Sequence, residues 1–175
     1  MLIDKNSKLL RANGKEVGVE DVRENMFFIQ NELKNNVHVK LNNHKYTGYL
    51  YTITTANKEY KVFSGTHILT SQGYLSIEKI YSFNAKLDLM LLITRNSDYG
   101  IVSTYFASNR VFAVERELVE DYGCYKASNA QLVVDSLICV DNSWKMWYNS
   151  HVIINKYIKK VIIIKAKKVF IIFLL

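Results

Sequence analysis

The stretch that decides the fold is Glu59-Tyr-Lys-Val-Phe-Ser-Gly-Thr-His-Ile-Leu-Thr-Ser-Gln-Gly-Tyr-Leu-Ser-Ile-Glu-Lys-Ile80. Its pattern predicts an apolar strand that ends at Phe63, a second strand just after His67, and a turn beyond it. Ser64 and His67 fall in the corner between these strands. Because the ordinary pKa of histidine lies near physiological pH, a fixed His beside a hydroxyl can move a proton at a peptide bond. Ser64 and His67 are therefore candidate catalytic residues. On spacing alone, a capping serine and a hydrogen-bonded core histidine remain the alternative.

Strand-like runs recur on both sides of this stretch at intervals of about 8–12 residues, which is typical of an all-β domain. Asn13-Gly14 between two such runs predicts a hairpin with a type I′ turn. Residues 42–45 are predicted to interrupt the strands, and Asp135-Ser136 is predicted to form a tight turn. The further predicted strands are residues 26–30, 37–41, 46–55, 87–94, 101–106, 110–116, 131–134 and 137–140.

Length and composition fit one domain with a sizeable core, since the 175 residues are 49% hydrophobic and 13% aromatic. This composition excludes a disordered chain. The sequence has no glycine-rich phosphate loop, no zinc-type spacing of Cys and His, and no paired-carboxylate motif. It therefore predicts neither a cofactor nor a metal site.

The net charge of +7 belongs to the C-terminal part of the chain. Seven lysines and no acidic residue follow Trp144, whereas basic and acidic side chains balance before it. We therefore predict two parts, a domain over residues 1–143 and a basic, apolar extension over residues 144–175. From Val152 onward the longest uncharged run is the last seven residues, far shorter than the ~20 residues that span a bilayer. Two interpretations stay open: a surface that contacts anionic lipid, and a final strand or helix with snorkelling lysines.

Cys124 and Cys139 are the two cysteines. Two are too few for a disulfide scaffold, and whether these two pair stays open. The start of the chain has no long apolar run and no small-residue cleavage site, so no signal peptide is predicted in this chain. Because the body is charge-neutral and its basic and aromatic residues do not alternate along a strand, we predict no nucleic-acid partner.

Separate segments resemble, in order, the Hint domain that inteins share with the C-terminal autoprocessing region of Hedgehog-type proteins. The likeness covers residues 7 to about 142 and is closest to the Hedgehog type. It implies an all-β Hint fold, a flattened, pseudo-twofold β structure, to which the extension would add a helix or strand. The segments are residues 7–22, similar to the opening hairpin; Ser64-Gly-Thr-His67, similar to the Thr-x-x-His block; and Arg110-Val-Phe-Ala-Val-Glu115, Gly123-Cys-Tyr125 and Leu132-Val-Val-Asp-Ser-Leu-Ile138, similar to the Hedgehog-type succession.

The activity that this resemblance implies is self-cleavage by acyl rearrangement. The first residue of the domain attacks the preceding carbonyl, and the acyl group then passes to a second nucleophile, a sterol in Hedgehog proteins or a downstream Cys, Ser or Thr in inteins. Carried over, His67 would protonate the leaving nitrogen and Ser64 would hold the scissile amide. The implied partners are the chain's own N-terminal flanking segment, a sterol or other small nucleophile, and lipid at the extension. The implied localisation is secretory or extracellular.

The chain departs from the family at both ends of the domain. Met1 takes the place of the nucleophile, and a thioether cannot form an acyl intermediate. The Hedgehog-type cysteine position falls on Asp141, while Cys139 lies two residues earlier on the same strand face. In the intein interpretation, Asn142 and Ser143 would form the C-terminal junction, with Asp141 in place of the usual His.

Two functions therefore stay open. One is a self-cleaving autoprocessing domain that is truncated or inactive with Met1 at the nucleophile position. The other is a degenerate Hint-fold module that serves structure or binding without catalysis. In either case we expect Ser64 and His67 to lie in the interior, close to Met1 and to the strand that holds Cys139 and Asp141.

Overall fold

The computed structural model describes residues 1–142, apart from residues 32, 34, 84–85 and 97–101. The chain divides into two units, Met1–Asn142 and Ser143–Leu175, of which the second lies outside the described residues. The extension over residues 144–175 therefore stays a prediction.

The described residues form an almost purely β structure, in agreement with the predicted all-β class. One short helix, α1 (Ile77–Ser82), and a 3₁₀ turn at Val19–Asp21 are the helical pieces among them. The Ser76 side chain caps α1 by accepting a hydrogen bond from the Lys79 backbone N–H at 3.3 Å. The strands are β1 (Leu2–Asp4), β2 (Lys8–Leu10), β3 (Glu16–Gly18), β4 (Phe28–Ile29), β5 (Asn36–Val37), β6 (Leu41–Thr55), β7 (Glu59–Phe63), β8 (His67–Thr70), β9 (Gly73–Ser76), β10 (Asp88–Asn96), β11 (Val102–Ala127), β12 (Gln131–Val134) and β13 (Leu137–Val140).

A long antiparallel ribbon of β6 and β11 organises the main sheet. The two strands pair from Leu41 opposite Ala127 to Thr55 opposite Val111. β7 lies beside β6, and the first part of β11 pairs with β10. The order then continues through β8, β13, β12, β2 and β3, while β1 pairs with the end of β11 and β9 with β8. The chain start is thereby brought alongside the last third of the domain.

The ribbon is longer than the sequence pattern predicts. Residues 42–45 were predicted to interrupt the strands, but they lie within β6, where His44 is opposite Cys124. The strands predicted over residues 101–106 and 110–116 are both parts of β11, which the structure describes from Val102. The predicted strands are confirmed from Val102 onward, but the interruption at residues 42–45 and the separation of the two later strands were wrong. Exposed polar side chains suit a solvated ribbon whose backbone is already paired.

The two predicted hairpin turns have different geometries. At Asn13-Gly14 the hairpin is confirmed, but the type I′ turn is wrong, because Gly14 has a φ of +81° and Asn13 has no positive φ. The Arg11 N–H donates to the Lys15 carbonyl at 2.9 Å, which closes a three-residue loop with the glycine in the left-handed position. The tight turn between β12 and β13 is confirmed, with φ of +52° at Asp135 and +69° at Ser136.

The core consists of clusters on the two faces of the sheet. Leu132 and Cys139, which are opposite one another on β12 and β13, belong to the cluster that contains Met1. Their neighbours Val133 and Ile138 belong to a second cluster. Because successive side chains of a strand point to opposite faces, these memberships identify which face each residue of the site occupies.

Candidate functional site

Met1 is fixed beside the end of β11. Its side chain is buried, and its amino group donates hydrogen bonds to the carbonyls of Ala127, at 3.2 Å, and Asn129, at 3.4 Å. The Met1 carbonyl in turn accepts from the Ala127 N–H at 2.8 Å. The carboxylate of Asp141 lies 3.4 Å from the same amino group. The first residue is therefore held on several sides by groups from the end of the domain.

The strand that precedes Asp141 is paired with the strand that begins at His67. Cys139 on β13 is opposite Ile68 on β8, and Val140 is opposite His67. The expectation that Met1 and the Cys139–Asp141 strand lie together is met, and β8 is directly beside them. Both ends of the described unit thus converge at the start of β8.

His67 is buried, but it projects from the other face of the sheet. It lies between Val140 of β13 and Ser76 of β9. Ile68 belongs to the cluster that contains Met1, whereas Leu69 packs against the second cluster. Since alternate residues share a face, His67 lies with Leu69 and away from Met1. The backbone of His67 therefore lies at the site, while its ring lies on the opposite face of the sheet.

Ser64 does not lie in the interior, so that expectation was wrong. Its side chain is exposed, and its hydroxyl donates to the Glu78 carboxylate at 2.6 Å. The Gly65 N–H donates to the same carboxylate oxygen at 2.7 Å. Burial would raise the pKa of Glu78, but these hydrogen bonds hold it below its usual value. Glu78 is at the start of α1, so the helix anchors the corner before β8, a contact that the spacing of Ser64 and His67 gave no reason to expect.

Cys139 lies on the Met1 face, where its environment disfavours a thiolate. The thiol is buried in the core, and burial, followed by the negative charge of Asp135, raises its pKa above the ordinary value. Cys124 is also buried, and burial followed by the charge of Asp4 raises the pKa of its thiol too. Both cysteines are free, which settles the open question of their pairing.

Thr66 is a site residue that the sequence interpretation missed. It is buried and lines a cavity of about 20 Å³ together with Met1 and Cys139. That volume holds about one water molecule. The sequence interpretation passed over Thr66 because it selected only Ser64 and His67 from this segment. The signal that could have indicated Thr66 is side-chain alternation, continued backwards from β8 once its partner strand is known.

Asn142 lies against the corner that precedes β8. A Cβ atom placed on Gly65 would come within 2.9 Å of the Asn142 side-chain nitrogen. Gly65 has a φ of +82°, which a residue with a Cβ rarely adopts. Both the turn and the close approach of Asn142 therefore require glycine here, and the residue proposed for a C-terminal junction is close to the residues of the N-terminal one.

The described part of the chain contains no group of three or more His, Cys, Asp and Glu side chains able to hold a metal. Over the same residues, the structure contains no helix with the length and apolarity needed to cross a membrane.

Comparisons with known proteins identify the fold. No protein-family model matches the sequence, and no curated protein does. Among solved structures, the DnaX mini intein of Spirulina platensis matches with a TM-score of 0.58 and 16% identity over 81% of this chain and all of its own. A DnaB intein of Synechocystis matches with a TM-score of 0.56 and 16% identity, over 81% of this chain and 98% of its own. A bacterial intein-like domain of Clostridium thermocellum matches with a TM-score of 0.53 and 14% identity over the same shares.

The chain therefore has the Hint fold of these inteins, as predicted. At such low identities the likeness establishes the fold and leaves the activity to be argued from the site. These three structures are inteins or intein-like, and they give no support to a closer relation with the Hedgehog type.

Proposed function

We propose that residues 1–142 form an intein-type autoprocessing domain, which breaks peptide bonds at its own ends by acyl transfer. The observation that carries this proposal is the distance of 3.4 Å between the Met1 amino group and the Asp141 carboxylate. Acyl transfer between two junctions requires both to be held in one place, and holding reactive groups together contributes a large part of such catalysis. The Hint fold and the position of Asn142 against Gly65 support the same conclusion.

The N-terminal junction is the peptide bond in front of residue 1. A thiol or hydroxyl at residue 1 would attack the preceding carbonyl, and the proton donor for the leaving nitrogen would be His67. In the structure the ring of His67 lies on the face of Leu69, away from Met1, so this role requires a rearrangement at the start of β8. With the thioether of Met1, the first step is blocked.

The C-terminal junction is the bond between Asn142 and Ser143. In this step the side-chain nitrogen of Asn142 would attack its own backbone carbonyl, which closes a succinimide and frees the amino group of Ser143. Asp141 precedes Asn142 and contacts the N-terminal residue, so it belongs to both junctions. This step does not require a nucleophile at residue 1.

The test of the proposal is a fusion of the full chain behind a reporter protein, with Met1→Cys. A thiol at residue 1 should form a thioester with the reporter, and dithiothreitol should then release the reporter. The fusion with Met1 should stay intact. His67→Ala should slow the release by ~10²–10⁴-fold, the usual contribution of general acid or base assistance. Release is followed on a gel and by mass spectrometry.

A Met1→Cys fusion that folds and stays intact under thiol would favour the second candidate, a Hint-fold module without catalysis. One observation favours that candidate. The Met1 side chain is part of the main core cluster, and the amino group already has two carbonyls and a carboxylate around it. In a module of this kind residue 1 contributes packing, and Met1→Cys would change stability alone.

The Hedgehog-type version of the activity differs in the acceptor, which would be a sterol or another small nucleophile in place of a downstream residue. Its candidate thiol in this chain is Cys139, which burial keeps protonated. Adding a sterol to the Met1→Cys fusion tests this version directly, because mass spectrometry would then detect a reporter with a sterol ester at its C-terminus.

A further inference from the structure

Thr66 lies on the face of β8 that Met1 occupies. The pairing of β8 with β13 sets Ile68 opposite Cys139 and His67 opposite Val140. The pairing ends at His67 and Val140, and Thr66 and Asp141 are the next residues of the two segments. Alternate residues of a strand share a face, so Thr66 follows Ile68, which belongs to the core cluster of Met1. Thr66 also lines one cavity together with Met1 and Cys139.

The burial of Thr66 points to the same site. It is 6% exposed and shares the water-sized cavity with Met1 and Cys139. Its backbone N–H donates to the Phe63 carbonyl at 3.2 Å, and its carbonyl accepts from the Ile77 N–H at 2.9 Å. The hydroxyl is thus the polar group that Thr66 can offer to a peptide next to residue 1.

Ser64, the hydroxyl that the family resemblance selects, has another partner. Its oxygen lies 2.6 Å from the Glu78 carboxylate on the exposed side of the corner. To serve the peptide bond, Ser64 would have to give up this charge-assisted hydrogen bond and turn inward. Thr66 requires no such rearrangement.

We propose that Thr66, and not Ser64, supplies the hydroxyl that binds the carbonyl oxygen of the peptide bond in front of residue 1. This proposal rests on the proposed function. With a cysteine at residue 1, its sulfur forms a bond to that carbonyl carbon, the bond from the carbon to the residue-1 nitrogen breaks, and the thiol proton ends on that nitrogen. Negative charge passes through the carbonyl oxygen, where a donated hydrogen bond stabilises it.

The test measures thiol-induced release from the Met1→Cys fusion of the full chain. Thr66→Val keeps the shape and removes the hydroxyl, and it should slow release about 10- to 100-fold, at or somewhat below the loss typical of one donor to an oxyanion. Thr66→Ser keeps the hydroxyl and should retain most of the rate. The matched control is Thr52→Val, which removes a strand threonine hydroxyl on β6 and should leave the rate unchanged. Thermal melting of each variant checks that it is folded.

If Thr66→Val does not fold, a second pair of variants measures the effect of the hydroxyl. Thr66→Ser and Thr66→Ala both remove the methyl group and differ in the hydroxyl, so their rates should differ by the same factor. The inference is overturned if folded variants without the hydroxyl release the reporter as fast as the parent fusion, or if Ser64→Ala is slower than Thr66→Val. A parent fusion that never releases the reporter overturns the proposed function itself, and this inference with it.

Discussion

The carboxylate of Asp141 lies 3.4 Å from the amino group of Met1, so the first residue and the residue after the last described strand form one ion pair. The Met1 side chain is buried and the Asp141 side chain is 31% exposed. This contact joins β1 and β13 at the start of β8, and every residue proposed for the chemistry lies on or next to these strands.

Replacing Asp141 by Asn tests the ion pair. We expect Asp141→Asn to lower the free energy of unfolding by about 1 kcal/mol, because it leaves a buried ammonium without its counter-charge while the carbonyls of Ala127 and Asn129 remain. Urea denaturation measures the difference. The control is the same substitution in a chain extended before Met1, where no ammonium exists, and an equal loss there would show that the ion pair contributes nothing.

Glu78 should make stability depend on pH. Because hydrogen bonds hold the folded-state pKa of Glu78 below its ordinary value of 4.5, the ionised carboxylate stabilises the fold at neutral pH. This contribution is lost as the pH falls through the folded-state pKa. We expect Glu78→Gln to cost about 1 kcal/mol near neutral pH, a value reduced for the partial exposure of the pair.

The difference between the parent protein and Glu78→Gln should shrink to nothing in acid. Denaturation curves of both proteins over an acid-to-neutral pH series measure it. Ser64→Ala removes one of the two hydrogen bonds and should show a smaller difference with the same sign. A Glu78→Gln difference that grows on acidification would contradict this assignment.

The two cysteines should be unreactive in the folded protein. Burial raises the pKa of both thiols, and only thiolates react quickly with alkylating reagents or disulfides. Iodoacetamide at neutral pH should therefore label neither Cys124 nor Cys139 until guanidinium unfolds the chain, when both should react. Rapid labelling of Cys139 in the native state, read by mass spectrometry, would revive it as a candidate nucleophile.

The bond between Asn142 and Ser143 should break by itself once a proton donor precedes it. Asp141→His supplies an imidazole next to Asn142, and we expect it to raise the rate of this cleavage by at least about 10-fold. The intact mass of the full chain, followed over time, measures the loss of residues 143–175. In Asp141→His with Asn142→Ala the cleavage should vanish, and cleavage that persisted would point to a contaminating protease.

The extension over residues 144–175 is proposed to contact anionic lipid. Its seven lysines should each contribute about 1 kcal/mol at an anionic surface, in a salt-sensitive way. Co-sedimentation with liposomes that contain anionic lipid compares the full chain with a chain that ends at Ser143. If the full chain binds no liposomes and the shortened chain aggregates, the extension is a part of the fold, the other interpretation of its apolar residues.

Much of the fold follows from local sequence. The strand alternation of residues 46–55, the glycine after Asn13 and the Asp135-Ser136 pair each act through neighbours in the chain. They predict the strand and the two hairpins correctly, although not the type of the turn at Asn13-Gly14. The residue types that limit the chemistry can also be read directly from the sequence. The thioether of Met1 has no proton to lose and cannot form a stable acyl intermediate, and no arrangement of the sheet can change that.

The arrangement of the site depends on contacts between residues far apart in sequence. The register of β8 against β13 puts Ile68 opposite Cys139, and Thr66 lines a cavity with Met1, whereas His67 lies on the other face. Ser64 donates its hydrogen bond to Glu78 because α1 packs beside the corner that precedes β8. A shift of pairing by one residue would exchange the two faces. Spacing in the sequence therefore identifies candidate residues for a site. The pairing of distant strands determines which of these residues lie close together.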